Sequence, residues 1–272
     1  MKDLMVHLDD RDAAHSRLTL AVDLAKRFGA RLTGLFARLD THHPSIIAQK
    51  SSDELNRHAE AAKALFDEVT AAAGVKARWW QLPYGTTGLV VSETVFCARY
   101  FNLVIMGQHD PAAGFVTDDL VEQVLLNCGR PVLVIPHLGT FKHVGERAVI
   151  AWNAGREAAR AVQDALPLLR MSKDVAVISM RDRQTAEAIA ASAAMPHVDI
   201  LDHLSENGIS VHGERLPQEE IGKIDMLLSR ACDLGADLLI MGGHGHYGFP
   251  RLKGSATRQL LKQMTLPVLL SH

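Results

Sequence analysis

Asn102-Leu-Val-Ile-Met-Gly107 and Asp237-Leu-Leu-Ile-Met-Gly242 are one short phrase written twice, and their surroundings repeat with them. A cysteine stands five residues before each, Cys97 and Cys232. Downstream, Pro131-Val-Leu-Val134 returns as Pro267-Val-Leu-Leu270. Upstream, Leu4-Met-Val-His-Leu-Asp9 corresponds to Ala148-Val-Ile-Ala-Trp-Asn153. The blocks keep their order in both halves, which chance explains poorly. A repeat of this kind is one supersecondary design used twice. The 272 residues therefore resolve into two copies of roughly 136 residues, a common domain size.

Each half alternates strands and helices. Apolar runs at 4–8, 32–37, 75–81, 103–106 and 131–135 are short and rich in Val, Ile and Leu. Continuous runs of that kind suit strands of a parallel sheet covered on both faces. Between the first two, Ala14, Leu18, Ala21, Val22 and Ala25 recur at helical spacing, and Gly29 is a stop signal. Further helices fit 52–73, 87–99 and 118–127. The second half predicts strands at 148–152, 174–179, 209–214, 237–241 and 267–270. Its helices fall at 156–170, 182–193, 218–234 and 255–264, with a further piece over 198–207 after Pro196. Two glycines in the stretch 137–145 place the boundary near 141, giving copies 1–140 and 141–272. The expectation is α/β: two tandem doubly wound domains, each a roughly five-stranded parallel sheet with helices on both faces. Ligands of such sheets bind beyond the carboxyl ends of the strands, so chemistry is sought in the loops after strands 1 and 4.

Composition narrows the partners. With 29 Lys+Arg against 31 Asp+Glu, nothing calls for nucleic acid or an anionic membrane. No stretch approaches the ~18 apolar residues that span a bilayer, and the first residues lack a signal-peptide core. Cys97, Cys128 and Cys232 are odd in number and widely spaced, suiting neither a disulfide framework nor a cysteine zinc site. A cytoplasmic protein with reduced thiols is expected.

The most informative loop follows the fourth strand of the second half. The strand ends at Met241, and Gly242, Gly243 and Gly245 remove side chains where a backbone could approach a ligand. After an excursion, Gly254-Ser255 opens the last helix, whose exposed N–H groups and dipole make an anion site. From Leu238 onward there is no Asp or Glu, while Arg251, Lys253, Arg258 and Lys262 are present. An anionic ligand is favoured, most simply a di- or triphosphate. Gly243-His-Gly-His-Tyr-Gly248 formally matches the dinucleotide fingerprint, yet it follows the wrong strand and no acid lies beyond it for a ribose. Lys253-Gly254-Ser255 holds P-loop residues in the wrong order.

In this loop and in its repeat, the sequence resembles the universal stress protein family in its tandem form. That family's pattern is G-x-x-G, nine residues, then G-[ST]; here Gly242-x-x-Gly245 precedes Gly254-Ser255 by eight. The resemblance implies an adenine nucleotide alpha hydrolase-like, Rossmann-like fold, a stress-response role and ATP or ADP as ligand. It implies a nucleotide lying against Trp152 and Asn153 after the first strand and Met180 after the second. It also implies contacts with Met241, Gly242, Gly243, His244, Gly245, His246, Arg251, Gly254, Ser255 and Ala256. Asn153 stands where the family commonly has Asp, keeping an acceptor but losing the charge. In this family the closing strands of two domains can pair. Here 131–135 and 267–270 would do so within one chain, an intramolecular pseudo-dimer compatible with a further homodimer.

The first half argues the other way. Asp110 falls at the place of Gly245, and Asp118-Asp119 at the place of Gly254-Ser255. Each carboxylate would repel a phosphate by a few kcal/mol at ~4 Å if partly buried, while still serving as a helix cap. Asp9 keeps the family's acid but is read as a relic or surface residue. One nucleotide site is expected, in the second half. The alternative is that the first half binds a cation such as Mg2+ on its carboxylates, or nothing.

No enzyme motif appears. The second loop offers His244, His246, Lys253 and Ser255 but no acid for Mg2+, and Asp237 should lie at the far end of its strand. His244-x-His246 could begin a metal site, yet spacing reveals no third ligand. The leading expectation is nucleotide-dependent regulation or association with at most slow hydrolysis. The alternatives are a slow ATPase and a nucleotide-free scaffold with a vestigial site.

Overall fold

A computed structural model describes residues 1–9, 12–40, 51–83, 85–112, 114–179, 199–215, 222–244 and 256–272. The chain divides into two units, Met1–His143 with Leu261–Thr265, and Val144–Leu260 with Leu266–His272.

The first unit runs β1 (Asp3–Leu8), α1 (Asp12–Phe28), β2 (Arg31–Phe36), α2 (Asp53–Ala73), β3 (Ala77–Gln81), α3 (Thr87–Ala98), β4 (Leu103–Gly107), α4 (Leu120–Asn127) and β5 (Val132–Ile135). Its strands lie in the order β3-β2-β1-β4-β5. All four of these pairings are parallel. The second unit runs β6 (Arg147–Trp152), α5 (Arg156–Leu169), β7 (Asp174–Ser179), α6 (Ile200–Glu206), β8 (Val211–Arg215), α7 (Lys223–Asp233), β9 (Leu238–Gly242), α8 (Ala256–Gln263) and β10 (Val268–Ser271). Its order is β8-β7-β6-β9-β10, again all parallel.

Every strand expected from the apolar runs is present; the central strands are buried on both faces and apolar, while β3 and β8, at the ends of the strand order, are partly exposed. Leu4, Met5 and Val6 of β1, and Leu238, Leu239 and Ile240 of β9, are all fully buried. The expected helix over 182–193 lies outside the described residues. The shared strand order puts a reversal of winding between β1 and β4, and between β6 and β9. That is the switch point where the two flanking loops part and leave a crevice.

The repeated phrase that announces β4 and β9 begins on a clamp. Asn102 Oδ1 accepts from the amides of Lys2 and Asp3 at 2.8 and 3.1 Å. Asp237 does the same for Gly145, Glu146 and Arg147, each at 3.0 Å. Both side chains tie the amino end of the fourth strand to that of the first. Asp237 therefore sits at the end opposite the crevice, as expected.

Helix α2 shows ordinary local logic. The Ser52 hydroxyl accepts from Leu55 N at 3.0 Å as the N-cap, and Gly74 closes the helix at φ 64°. Helix α4 starts at Leu120, and the Asp119 side chain makes no cap bond. Its carboxylate instead accepts from Gln123 Nε2 at 3.2 Å, so the capping role expected of this acid is not the one it has.

Candidate functional site

In the second unit, β6 and β9 are neighbours with Ala151 opposite Met241. Trp152 and Asn153 therefore emerge beside Met241, Gly242, Gly243 and His244 at the carboxyl ends. After β6 the chain turns at once. Asn153 is exposed, and its Oδ1 accepts from Gly155 N at 2.8 Å, an Asx turn leading into α5. Ala154 within that turn has φ 56°. After β9, His244 has φ 53° and donates its N–H to the Thr257 hydroxyl at 2.9 Å. Among the described residues, these are the two non-glycines with positive φ. That conformation costs roughly 1–2 kcal/mol for an L-residue. Both flank the switch point of the second unit.

Gly242 has a different purpose from the one expected. A Cβ there would meet Ala158 N at 2.5 Å and Glu157 C at 2.6 Å. The space it leaves is taken by the backbone of α5, which rides directly over β9. The amides of Gly243 and His244 are also engaged, the first donating to Ser271 O at 2.8 Å and the second to Thr257. Neither is left for a phosphate. Ala256 is exposed at the first turn of α8. Met180, Gly245, His246, Arg251, Gly254 and Ser255 lie outside the described residues.

Two neighbours escaped the sequence reading. Thr257 is buried and fixes His244. Glu157 is buried in the first turn of α5, with Oε2 at 3.4 Å from a Cβ built on Gly155 and its own Cβ at 2.8 Å from one built on Gly242. An acid therefore does stand beside the loop, contrary to expectation. It was invisible because it comes from the loop after the first strand. Among the described residues, no group of three or more His, Cys, Asp or Glu could hold a metal ion.

At the equivalent strand ends of the first unit the side chains engage one another. Asp9 is not a surface residue: it is buried, with Arg17 Nη2 at 3.3 Å from its carboxylate. Arg17 is itself buried and donates Nε to His7 O at 2.8 Å. Arg38, after β2, is buried and lies 4.0 Å from the centre of the Phe115 ring. The Leu39 amide donates to Phe115 O at 2.8 Å. Asp40 holds the Ser52 amide and hydroxyl, each at 2.9 Å. Asp110 accepts from Ala112 N at 2.9 Å, turning the loop after β4. Counting eight residues on from Asp9 and from Asn153 gives Arg17 and Ala161. The second unit has no such cation at that place, and its Asn153 stays at the surface.

The fold defines a class: Rossmann-like α/β units, each with a parallel sheet. Residues 146–272 match the universal stress protein family. This second part of the chain is therefore similar to that family. Among solved structures, a universal stress protein from Archaeoglobus fulgidus DSM 4304 is 18% identical. It covers 99% of this chain and 95% of its own, with a TM-score of 0.71. The universal stress protein from Archaeoglobus fulgidus in complex with dAMP is 16% identical over 49% of this chain and 97% of its own, TM-score 0.36. A universal stress protein in complex with cAMP is 17% identical over 49% and 96%, TM-score 0.37. No curated protein sequence matches the chain. No helix among the described residues is long and apolar enough to cross a membrane.

Proposed function

We propose that the second unit binds one adenine nucleotide, ATP or ADP, at the carboxyl ends of β6 and β9, and that the first unit binds none. The carrying observation is the contrast between equivalent crevices. In the first, Asp9 pairs with Arg17 and Arg38 lies against Phe115 at the strand ends; in the second, a turn over 153–155 and a constrained His244 stand there. The acid-free stretch from Leu238, with Arg251, Lys253, Arg258 and Lys262, supplies the charge a polyphosphate needs. With Gly243 and His244 engaged, backbone donors for the phosphates fall to Gly245 and beyond, ending at the N-terminus of α8. A Mg2+ ion carried with the nucleotide would find Glu157 as the neighbouring carboxylate. The biological reading is a cytoplasmic stress-response protein whose nucleotide state sets conformation or association.

The test is direct. Purified protein is denatured and its supernatant assayed for adenine nucleotide; the intact protein is then titrated with ATP by calorimetry. One equivalent per chain is expected, lost in Gly245→Asp, which copies the first half. Neither bound nucleotide nor a heat of binding would overturn the proposal. Phosphate release measured on the same sample distinguishes binding from slow hydrolysis.

A further inference from the structure

Glu157 lies in the first turn of α5 and is only 8% exposed. The helix dipole favours an acid there, but a carboxylate so deeply buried also needs donors for its oxygens. Its Oε1 is 3.4 Å from Arg156 Nη2. The Arg156 side chain is itself exposed, and a pair of that kind is weak. Among the described residues, Arg156 is the one partner of this carboxylate. Oε2 turns the other way, to 3.4 Å from the point a Cβ on Gly155 would take; Asn153 Oδ1 is 2.9 Å from the same point. Gly155 has φ −75°, a backbone that any residue adopts. The glycine therefore keeps room between two side-chain oxygens rather than permitting a turn.

The kind of donor follows from position. The backbone of Glu157 and Ala158 lies directly against Gly242, within the acid-free stretch whose cations draw a polyphosphate. A carboxylate repels the phosphates themselves. The part of a nucleotide joined to its phosphates is the ribose, whose 2′- and 3′-hydroxyls are neutral donors. One carboxylate accepts from such hydroxyls, as the ribose-binding acid of dinucleotide folds does. Resting on the nucleotide reading above, we infer that Glu157 reads the ribose hydroxyls and makes the second unit selective for ribonucleotides over deoxyribonucleotides. Counting four residues on from Asn153 and from Asp9 gives Glu157 and Ala13. The first unit thus has no acid at this place.

Nucleotide-free full-length protein is titrated by calorimetry with ATP, 2′-deoxy-ATP and 3′-deoxy-ATP. EDTA is present throughout, so that no Mg2+ bridge contributes. Wild type is expected to bind each analogue about tenfold or more weakly than ATP. Glu157→Ala is expected to bind all three alike, and Glu157→Gln, of equal size without the charge, to narrow the ratio. Arg156→Ala should keep the wild-type ratio. Circular dichroism checks each fold, and if Glu157→Ala disturbs α5, Glu157→Gln decides. Wild type that binds no ATP overturns the nucleotide reading and this inference with it. Wild type that binds ATP and both analogues alike overturns the ribose assignment alone, as does a ratio that survives in the deciding Glu157 variant.

Discussion

Asp9 and Asn153 end equivalent strands, yet one is sealed inside its unit and the other lies at the surface. The difference lies in the partner: Arg17 reaches Asp9, whereas the position eight residues beyond Asn153 is Ala161, buried and apolar. Removing one member of a buried ion pair leaves the other charge uncompensated, at about 3–5 kcal/mol. Asp9→Ala should therefore lower stability by that order in urea unfolding, while Asn153→Ala, which loses the turn bond to Gly155 N, should cost about 1 kcal/mol. Equal losses would mean the Asp9–Arg17 pair contributes nothing special. Glu214 on β8 is a different case. Arg230 donates to its two carboxylate oxygens at 2.7 and 3.0 Å, and this hydrogen bonding holds the Glu214 carboxyl below the ordinary glutamate range. A depressed folded pKa contributes stability above the unfolded value, and that contribution disappears as pH falls through the folded one. Glu214→Gln should thus be less stable than wild type near neutrality and converge with it in strong acid. A gap that widened on acidification would contradict the assignment. Neither pair was legible in the sequence. Linear order shows which charges exist, while pairing depends on which helix face turns toward which strand end.

At the scale of elements, two glycines illustrate two separate constraints. Gly74 closes α2 at φ 64° with open space where a Cβ would go, so alanine there meets only backbone strain, about 1–2 kcal/mol. Gly242 meets the α5 backbone at 2.5 Å, where nothing flexible can yield. Gly242→Ala should cost about 1–3 kcal/mol by overpacking and also shift the amide resonances of Asn153–Ala158, which Gly74→Ala should leave in place. Identical spectra for the two variants would remove the close-packing account. The central strands were readable because burial on both faces imposes an unbroken apolar run, and the repeated Asn102 and Asp237 phrases marked the order. The role of Gly242 was not, because a glycine after a strand looks the same whether it admits a ligand or a helix. Glu157 was missed for a related reason. A site at a switch point is assembled from loops distant in sequence, and only the glycine-rich one carries a motif.

For the whole molecule, the near-neutral charge balance hides opposite local arrangements: carboxylates around the loop of the first unit, and only cations in the segment from Leu238 onward. If nucleotide binds where the cations are, its stabilisation must be unevenly distributed. A ligand that binds only the folded state adds about 2.7 kcal/mol when present at a hundred times its dissociation constant. That gain suppresses only those local openings that break the site. Hydrogen exchange with saturating ATP should therefore slow at Trp152–Ala158 and Met241–His244, and in the first turn of α8. It should be unchanged at 35–40, 108–112 and 114–120 of the first unit, where Arg38 lies against Phe115. Protection appearing equally in both sets would mean two sites per chain, and the internal pairs of the first unit would then have to open to admit a ligand. Phe115→Ala sharpens the same comparison. It removes the ring over Arg38, yet the acids at Asp110, Asp118 and Asp119 remain, so ATP stoichiometry should stay at one. Only if the aromatic contact alone kept the first crevice closed would it rise to two.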